Sequence, residues 1–372
     1  MRYFPLVFTT CLVVSHVYIF WCLRRAWPCG KWHYAMAIPM AAVFWQRMTR
    51  RINPAGPHSE LFAEAIYLWI GFVIMLSMCL AFRDALAVAA WATDRWRGTG
   101  FFRFFGEKSV RIAMAAGIVA FAYGLYEAQA VRVRSVVIRT DRLPPGAERL
   151  RLVLLSDLHL SPVTTASAIQ RIVDMVNDQR PDFVFLVGDV VDAQFAPDGE
   201  MARLLGSMRA SRGKFAVSGN HDVYSGLASF AVFMDGSGFE LLRGRFVDKA
   251  GIRVVGVDDP RFYGRKEPAD VLRRAATEEF IVLLSHTPEI PEETKGRFDL
   301  ELSGHTHGGQ IWPLGIVVRF MHGFRQGLTT VPAPSGRPRA ESMIYISNGT
   351  RSWGPPVRFL APPEITVIDL VR

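Results

Sequence analysis

The stretch Ser303-Gly304-His305-Thr306-His307-Gly308-Gly309-Gln310 sets two imidazoles at i and i+2 inside a glycine-rich frame. In extended backbone, alternate side chains leave on one side about 7 Å apart, so both rings can reach a single site. Imidazole is the commonest protein ligand for transition metals. A His-x-His pair is at most part of a metal site, and the remaining donors must come from elsewhere. Candidates stand upstream: Asp157 and His159 in Ser156-Asp157-Leu158-His159, Asp189 after Gly188, Asn220 in Gly219-Asn220-His221-Asp222, and His286 in Ser285-His286-Thr287-Pro288. The amide oxygen of Asn220 is a neutral donor and His221 is placed for acid–base work. Asp222 can orient that ring or hold its proton. Asp192 reads as a loop residue.

Each motif alone has a plainer meaning as a turn, a cap or a solvated loop. Their shared setting argues otherwise, because each follows an apolar run of strand length. These runs are 150–155, 183–187, 214–217, 280–284 and 298–302. Between the first two, Ile169, Ile172, Val173 and Val176 repeat at i, i+3, i+4 and i+7, the stripe of a helix packed on a sheet. Strand–helix–strand of this length makes a parallel pair, which brings consecutive strand ends to one edge. Chemistry at the carboxyl ends of such strands is a recurrent α/β arrangement. Gly188 lets another group approach the backbone beside Asp189.

The first part of the chain has a different composition. Apolar runs at 4–23, 32–46, 61–82 and 110–130 are read as about four membrane helices, the second being short and interrupted by Pro39. In the last, Ala116, Ala120 and Gly124 form a small-residue stripe suited to close helix packing. All cysteines (Cys11, Cys22, Cys29 and Cys79) lie in this part, which excludes a disulfide scaffold or a cysteine–zinc site further on. The net charge of +9 comes largely from arginines flanking the apolar runs. The expected organisation is a multi-pass anchor over 1–130, a linker and first strand over 131–149, and a catalytic domain over 150–372. Basic residues divide evenly between the two faces. The flanks of the first helix lean the C-terminal domain toward the non-cytoplasmic side of the membrane.

Taken together, Asp157/His159, Gly188-Asp189, Gly219-Asn220-His221-Asp222, His286 and Gly304-His305-x-His307 resemble the signature of the calcineurin-like metallophosphoesterases. The tail, with Asn348-Gly349 and Trp353-Gly354-Pro355-Pro356-Val357-Arg358, is similar to the membrane-anchored bacterial branch of that family. The resemblance implies a four-layer α/β/β/α sandwich carrying two transition-metal ions. It implies Asp157, His159 and His307 on one ion, Asn220, His286 and His305 on the other, and Asp189 bridging. It also implies that His221 contacts the phosphate and protonates the leaving group, supported by Asp222, while a hydroxide bridging the ions attacks phosphorus. A mixed His/Asp/Asn donor set suits Mn²⁺, Fe or Zn²⁺ better than Mg²⁺ or Ca²⁺.

The expected activity is hydrolysis of a phosphodiester or pyrophosphate. Membrane lipids would be neighbours, and the basic stem Arg132, Arg134, Arg139 and Arg142 would draw anionic headgroups, favouring a lipid-linked envelope substrate. A nuclease or nucleotide phosphodiesterase is the alternative. The soluble part has no aromatic-interleaved basic stripe for a nucleic-acid partner. A second alternative is a non-catalytic receptor that binds metal or phosphate, for which the His221-Asp222 pair would be superfluous. Arg351 and Arg358 either grip a phosphate or sit as surface charges on a Pro-rich turn, the second being the simpler expectation. The histidines His16, His33, His58 and His322 receive no role.

Overall fold

The structure, a computed structural model, describes residues 4–27, 59–161, 164–192, 199–259, 262 and 267–372. The chain divides into two units: Met1–Tyr126 with Gly354–Val357, and Glu127–Trp353 with Arg358–Arg372.

The first unit contains α1 (Phe4–Ala26), α2 (Ser59–Arg97) and most of α3 (Glu107–Gln129), each long and apolar enough to cross a membrane. The run expected at 32–46 lies outside the described residues. α2 continues well past the expected end at 82. Residues 83–97 hold strong helix formers and no glycine or proline, so nothing stops the helix before Gly98. There the chain turns left-handed (φ +63°) and the Gly98 N–H returns to the Asp94 carbonyl. The small-residue face of α3 is also shifted from the expected one. Ala116 is exposed, whereas Ala113, Gly117 and Gly124 are buried. A Cβ on Gly117 would lie 2.8 Å from Leu76 Cδ1 and 3.2 Å from its Cα, so Gly117 lets α3 approach α2. His16 on α1 accepts a 2.9 Å hydrogen bond at Nε2 from Trp69 Nε1 on α2.

The second unit is a four-layer α/β/β/α sandwich. One six-stranded sheet has the order β1-β12-β2-β3-β4-β5 and the other β10-β11-β9-β8-β7-β6. In the first, β2 (Arg149–Leu155), β3 (Phe183–Val187), β4 (Gly213–Val217) and β5 (Glu240–Leu241) run parallel. They are linked by α4 (Ala166–Asp178), α5 (Gly199–Gly206) and α6 (Asn220–Gly236). β12 (Glu364–Val371) runs antiparallel to β2 and parallel to β1 (Arg132–Arg139). In the second sheet β7 (Ile252–Gly256), β8 (Phe280–Leu284), β9 (Leu300–Ser303) and β11 (Glu341–Ile346) are parallel. The antiparallel partners β6 (Arg245–Lys249) and β10 (Gly327–Pro332) form its edges. Among the described residues the remaining α-helices are α7 (Glu267–Arg274) and α8 (Leu314–His322).

The apolar runs read as continuous because both faces of each central strand are covered. Leu152, Leu154, Phe183, Phe185, Phe280, Val282, Leu300 and Leu302 meet between the sheets. The alternate residues Val153, Leu155, Val184 and Leu186 pack under the α4 stripe Ile169, Ile172, Val173 and Val176. Ile281, Leu283, Ile344 and Ile346 face Val271 and Leu272 of α7 on the other outside. Because the central strands are parallel, their carboxyl ends share one edge of each sheet.

Glu301 breaks the apolar pattern. It lies fully buried on β9, accepting a 2.8 Å hydrogen bond from Ser303 Oγ, and burial pushes its carboxyl from the usual 4.5 to about 8. Its folded pKa is above its unfolded one, so its contribution to stability is full below about pH 4.3 and is lost as pH rises through about 8. The loss is at most about 5 kcal/mol, since one pKa unit corresponds to about 1.4 kcal/mol. In thermal melts of the full chain in detergent, the protein should lose several degrees more than Glu301→Gln between pH 6 and pH 9, by about 2–4 °C per kcal/mol. Parallel pH profiles for the two proteins would contradict this.

Candidate metal centre

The loops after β2 and β3 are zipped together. The Asp157 N–H donates to the Gly188 carbonyl (3.1 Å) and the His159 N–H to the Asp189 carbonyl (3.0 Å). Asp157, His159, Asp189, His305 and His307 all have left-handed backbone, with φ of 57, 44, 50, 67 and 51°. Asp and His tolerate this region better than most residues, yet it costs of order 1 kcal/mol each and persists only where the surroundings enforce it. The fold thus spends strain at the strand ends to turn these side chains inward.

The side chains converge. Donor atoms of Asp157, His159 and His307 lie within 4.8 Å of one another, as do those of Asp189, His286 and His305, and those of His159, Asp189 and His221. His307 Nε2 is 3.1 Å from His159 Nε2 and 3.4 Å from Asp157 Oδ1. His286 Nε2 is 3.2 Å from Asp189 Oδ2. Asn220 is buried at the start of α6, next in sequence to His221. The backbone is packed just as tightly: a Cβ on Gly188 would lie 2.6 Å from His286 Nδ1, and one on Gly219 2.2 Å from Asp189 Oδ1.

These residues fit a metal. His286 Nδ1–H donates 2.9 Å to the Val187 carbonyl, which turns the Nε2 lone pair inward, and that buried atom closes no hydrogen bond. His159 is oriented in the same way, its Nδ1 2.8 Å from Asp192 Oδ1. Its Nε2 then faces the Nε2 of His307, an arrangement a shared cation would satisfy. The fields are correspondingly strong. Burial alone would raise Asp189, but the charge of the adjacent His286 holds that carboxyl well below its usual range. Burial opposes protonation of His286, but the charge of Asp189 prevails and lifts it to about 10. Burial raises Asp157 and holds His307 well below the usual imidazole range.

The expected partner of His221 is corrected by the geometry. His221 Nδ1 lies 2.8 Å from Asp192 Oδ1, so the carboxylate read as a loop residue orients both His221 and His159. Asp222 faces the backbone instead. Its Oδ1 accepts from the Val190 and Val191 N–H groups (2.9 Å each) and its Oδ2 from the Gly219 N–H (2.8 Å). It ties α6 to the loop after β3, and burial together with the charge of Asp189 lifts it to about 7. A signal for Asp192 was present in Gly188-Asp189-Val190-Val191-Asp192, where a second carboxylate follows the first within one short loop.

Arg351 and Arg358 are likewise not surface charges. Arg358 is fully buried and donates to the carbonyls of His307, Arg351 and Ala361, with its Nη2 3.1 Å from His307 Nδ1. Arg351 donates to the Leu158 carbonyl and, at 2.8 Å, to Thr164 Oγ1. Burial pulls each guanidinium down to about 10. Both brace the loops that carry His159 and His307.

The profile of the calcineurin-like phosphoesterases matches residues 150–309. An uncharacterized metallophosphoesterase of Aquifex aeolicus is 32% identical over 264 residues, which is 69% of this chain and 98% of that one. A transmembrane protein with metallophosphoesterase domain from Danio rerio is 32% identical over 323 residues, 82% of this chain and 71% of that one. The chain belongs to the calcineurin-like metallophosphoesterase family. It is a metal-dependent phosphoester hydrolase associated with a membrane.

The two carboxylates considered as partners of His221 should therefore behave differently on substitution. Asp192→Asn should weaken metal binding by about 10–100-fold and lower kcat as well, because both rings it orients are released. Asp222→Asn should melt lower by roughly 1–2 kcal/mol, the value of a lost buried acceptor, and keep most of its kcat. Metal titration, melting and kcat on the two variants check the assignment.

Proposed function

We propose that the chain is a multi-pass, membrane-anchored binuclear phosphoesterase that hydrolyses a phosphodiester or pyrophosphate of a lipid-linked substrate. The observation that carries the enzymatic reading is His221. Its ring is held through Nδ1 by Asp192 and stands edge-on to His159, with centroids 4.9 Å apart, at the margin of the ligand cluster. A site for binding metal alone has no use for an oriented imidazole there.

In this reading Asp157, His159 and His307 hold one divalent ion, Asn220, His286 and His305 hold a second, and Asp189 serves both. Such a pair supplies Lewis acidity to the phosphoryl oxygens and acidifies water. The chain's own residues do the rest. The carboxylates of Asp157 and Asp189 offset the cationic charge, and the carbonyl of Val187 and Asp192 fix the tautomers of His286 and His159. His221, its Nδ1–H retained by Asp192, uses Nε2 to give a proton to the leaving oxygen, as a positioned general acid does.

The lipid-linked substrate is supported by the spanning helices and not by the stem arginines. Arg132 lies 3.6 Å from Glu127, Arg134 3.7 Å from Glu364 and Arg142 3.5 Å from Asp299, so carboxylates of the protein already meet much of their charge.

The test is hydrolysis of bis-p-nitrophenyl phosphate by the full chain in detergent, with Mn²⁺, Fe²⁺, Zn²⁺ or Mg²⁺ added to metal-stripped protein. Turnover should require metal and vanish in Asp189→Ala together with metal binding. His221→Ala should keep its metal and lose about 10²–10⁴-fold in kcat. A His221→Ala variant as active as the parent would overturn the acid assignment. Lipid phosphodiesters in bilayers should be cut more efficiently than soluble ones, and equal rates would remove the lipid-linked reading.

A further inference from the structure

Helix α8, Leu314–His322, begins immediately after the glycine loop that carries His305 and His307, and not one of its nine residues is buried. Its sequence, Leu-Gly-Ile-Val-Val-Arg-Phe-Met-His, would suit a protein core. In the described structure Phe320 is 84% exposed, Met321 75% and the preceding Trp312 50%, and Leu314, Ile316 and Val317 are exposed as well. A helix apolar on nearly every side is normally enclosed by protein or lipid. Facing water, it would forfeit the burial of several large apolar side chains, the main driving force for enclosing such a helix.

This surface adjoins the metal centre. A Cβ on Gly309 would lie 2.2 Å from Gly315 N, so the ligand loop rests directly on the first turn of α8. At the other end of the helix the His322 ring is edge-on to the ligand-type His305, with centroids 5.8 Å apart.

The charge nearby has one sign. No aspartate or glutamate occurs between Glu301 and Glu341, while Arg319 on the helix and Arg325 just past it are exposed. Exposed apolar side chains with arginines and without acids are the composition of a helix that lies in the headgroup region of an anionic bilayer. The chain also carries its own spanning helices, and β1 starts at Arg132, shortly after α3 ends at Gln129.

We propose that α8, with Trp312, is an interfacial helix that docks into the surface of an anionic bilayer and sets the mouth of the metal site at headgroup depth. The occupant of the apolar surface is lipid. The proposal deepens the lipid-linked reading above, because a phosphoester at headgroup depth would reach His305 and His307 without its acyl chains leaving the bilayer.

The test is photo-crosslinking of the full chain in phosphatidylglycerol-containing nanodiscs, with benzoylphenylalanine at position 320 and, as a control, at Val119 on the exposed face of α3. Lipid adducts at both positions are expected. Adducts at 119 with none at 320, or a crosslink from 320 to a second copy or to another part of the chain, would overturn the proposal. A kinetic arm separates docking from substrate choice. Phe320→Glu combined with Met321→Glu alters only exposed positions outside the metal centre. It should leave bis-p-nitrophenyl phosphate turnover within about twofold and lower turnover of a bilayer-borne phosphodiester by about tenfold or more, as expected for a lost interfacial anchor. Equal loss on both substrates would overturn the docking role. Lipid adducts at 320 without any lipid phosphodiester hydrolysis would instead retain the interfacial helix and remove the lipid-linked substrate.

Discussion

The architecture depends on keeping Asp189 ionised where almost no water reaches it. A buried carboxylate is expensive unless positive or hydrogen-bonding groups surround it. Here the compensation comes from the His221 N–H at 2.8 Å, from His286 at 3.2 Å and from His159 at 3.9 Å. Those groups stand on three other strand ends, drawn from both sheets. Satisfying this one charge therefore requires the sheets to be stacked in register, and the stacked sheets in turn place Asp157, His305 and His307 beside it.

The same logic explains the strain. Ligand residues in left-handed backbone would relax in an isolated loop. They are held here by hydrogen bonds between the loops after β2 and β3, by Asp222 on three backbone N–H groups, and by Arg351 and Arg358 on surrounding carbonyls. Asp192 works at the next level, orienting two imidazoles with one oxygen. The imidazoles and carboxylates thus form a preorganised cage in which the lone pairs already point inward, so that little reorganisation accompanies binding of a cation.

Much of this was legible in the sequence because it rests on local patterns. Apolar runs of strand length ending in Asp157, Asp189, Asn220, His286 and His305 disclose both the parallel sheets and the edge at which the ligands gather. The Ile169 stripe discloses the helix between the first two strands. What escaped depends on tertiary contact. Spacing favours Asp222, next in sequence to His221, over the distant Asp192, and only the turn into α6 reverses that choice. Arg358 follows a Pro-Pro-Val stretch that suggests a surface turn, but the guanidinium is enclosed by carbonyls. The packed face of α3 lies at Gly117 because that is where Leu76 of α2 comes closest, which no single-helix pattern reveals. The exposure of α8 is the converse case, since its composition reads as core and only its surroundings show that the described residues leave it uncovered.

The central claim is that these strand ends build a two-ion centre around Asp189. It is tested most directly by anomalous diffraction from crystals of the protein loaded with Mn²⁺. Two peaks are predicted about 3.5–4 Å apart on either side of the Asp189 carboxylate, one against Asp157, His159 and His307 and the other against Asn220, His286 and His305. A single peak, or two peaks that leave Asp189 uncoordinated, would contradict the account.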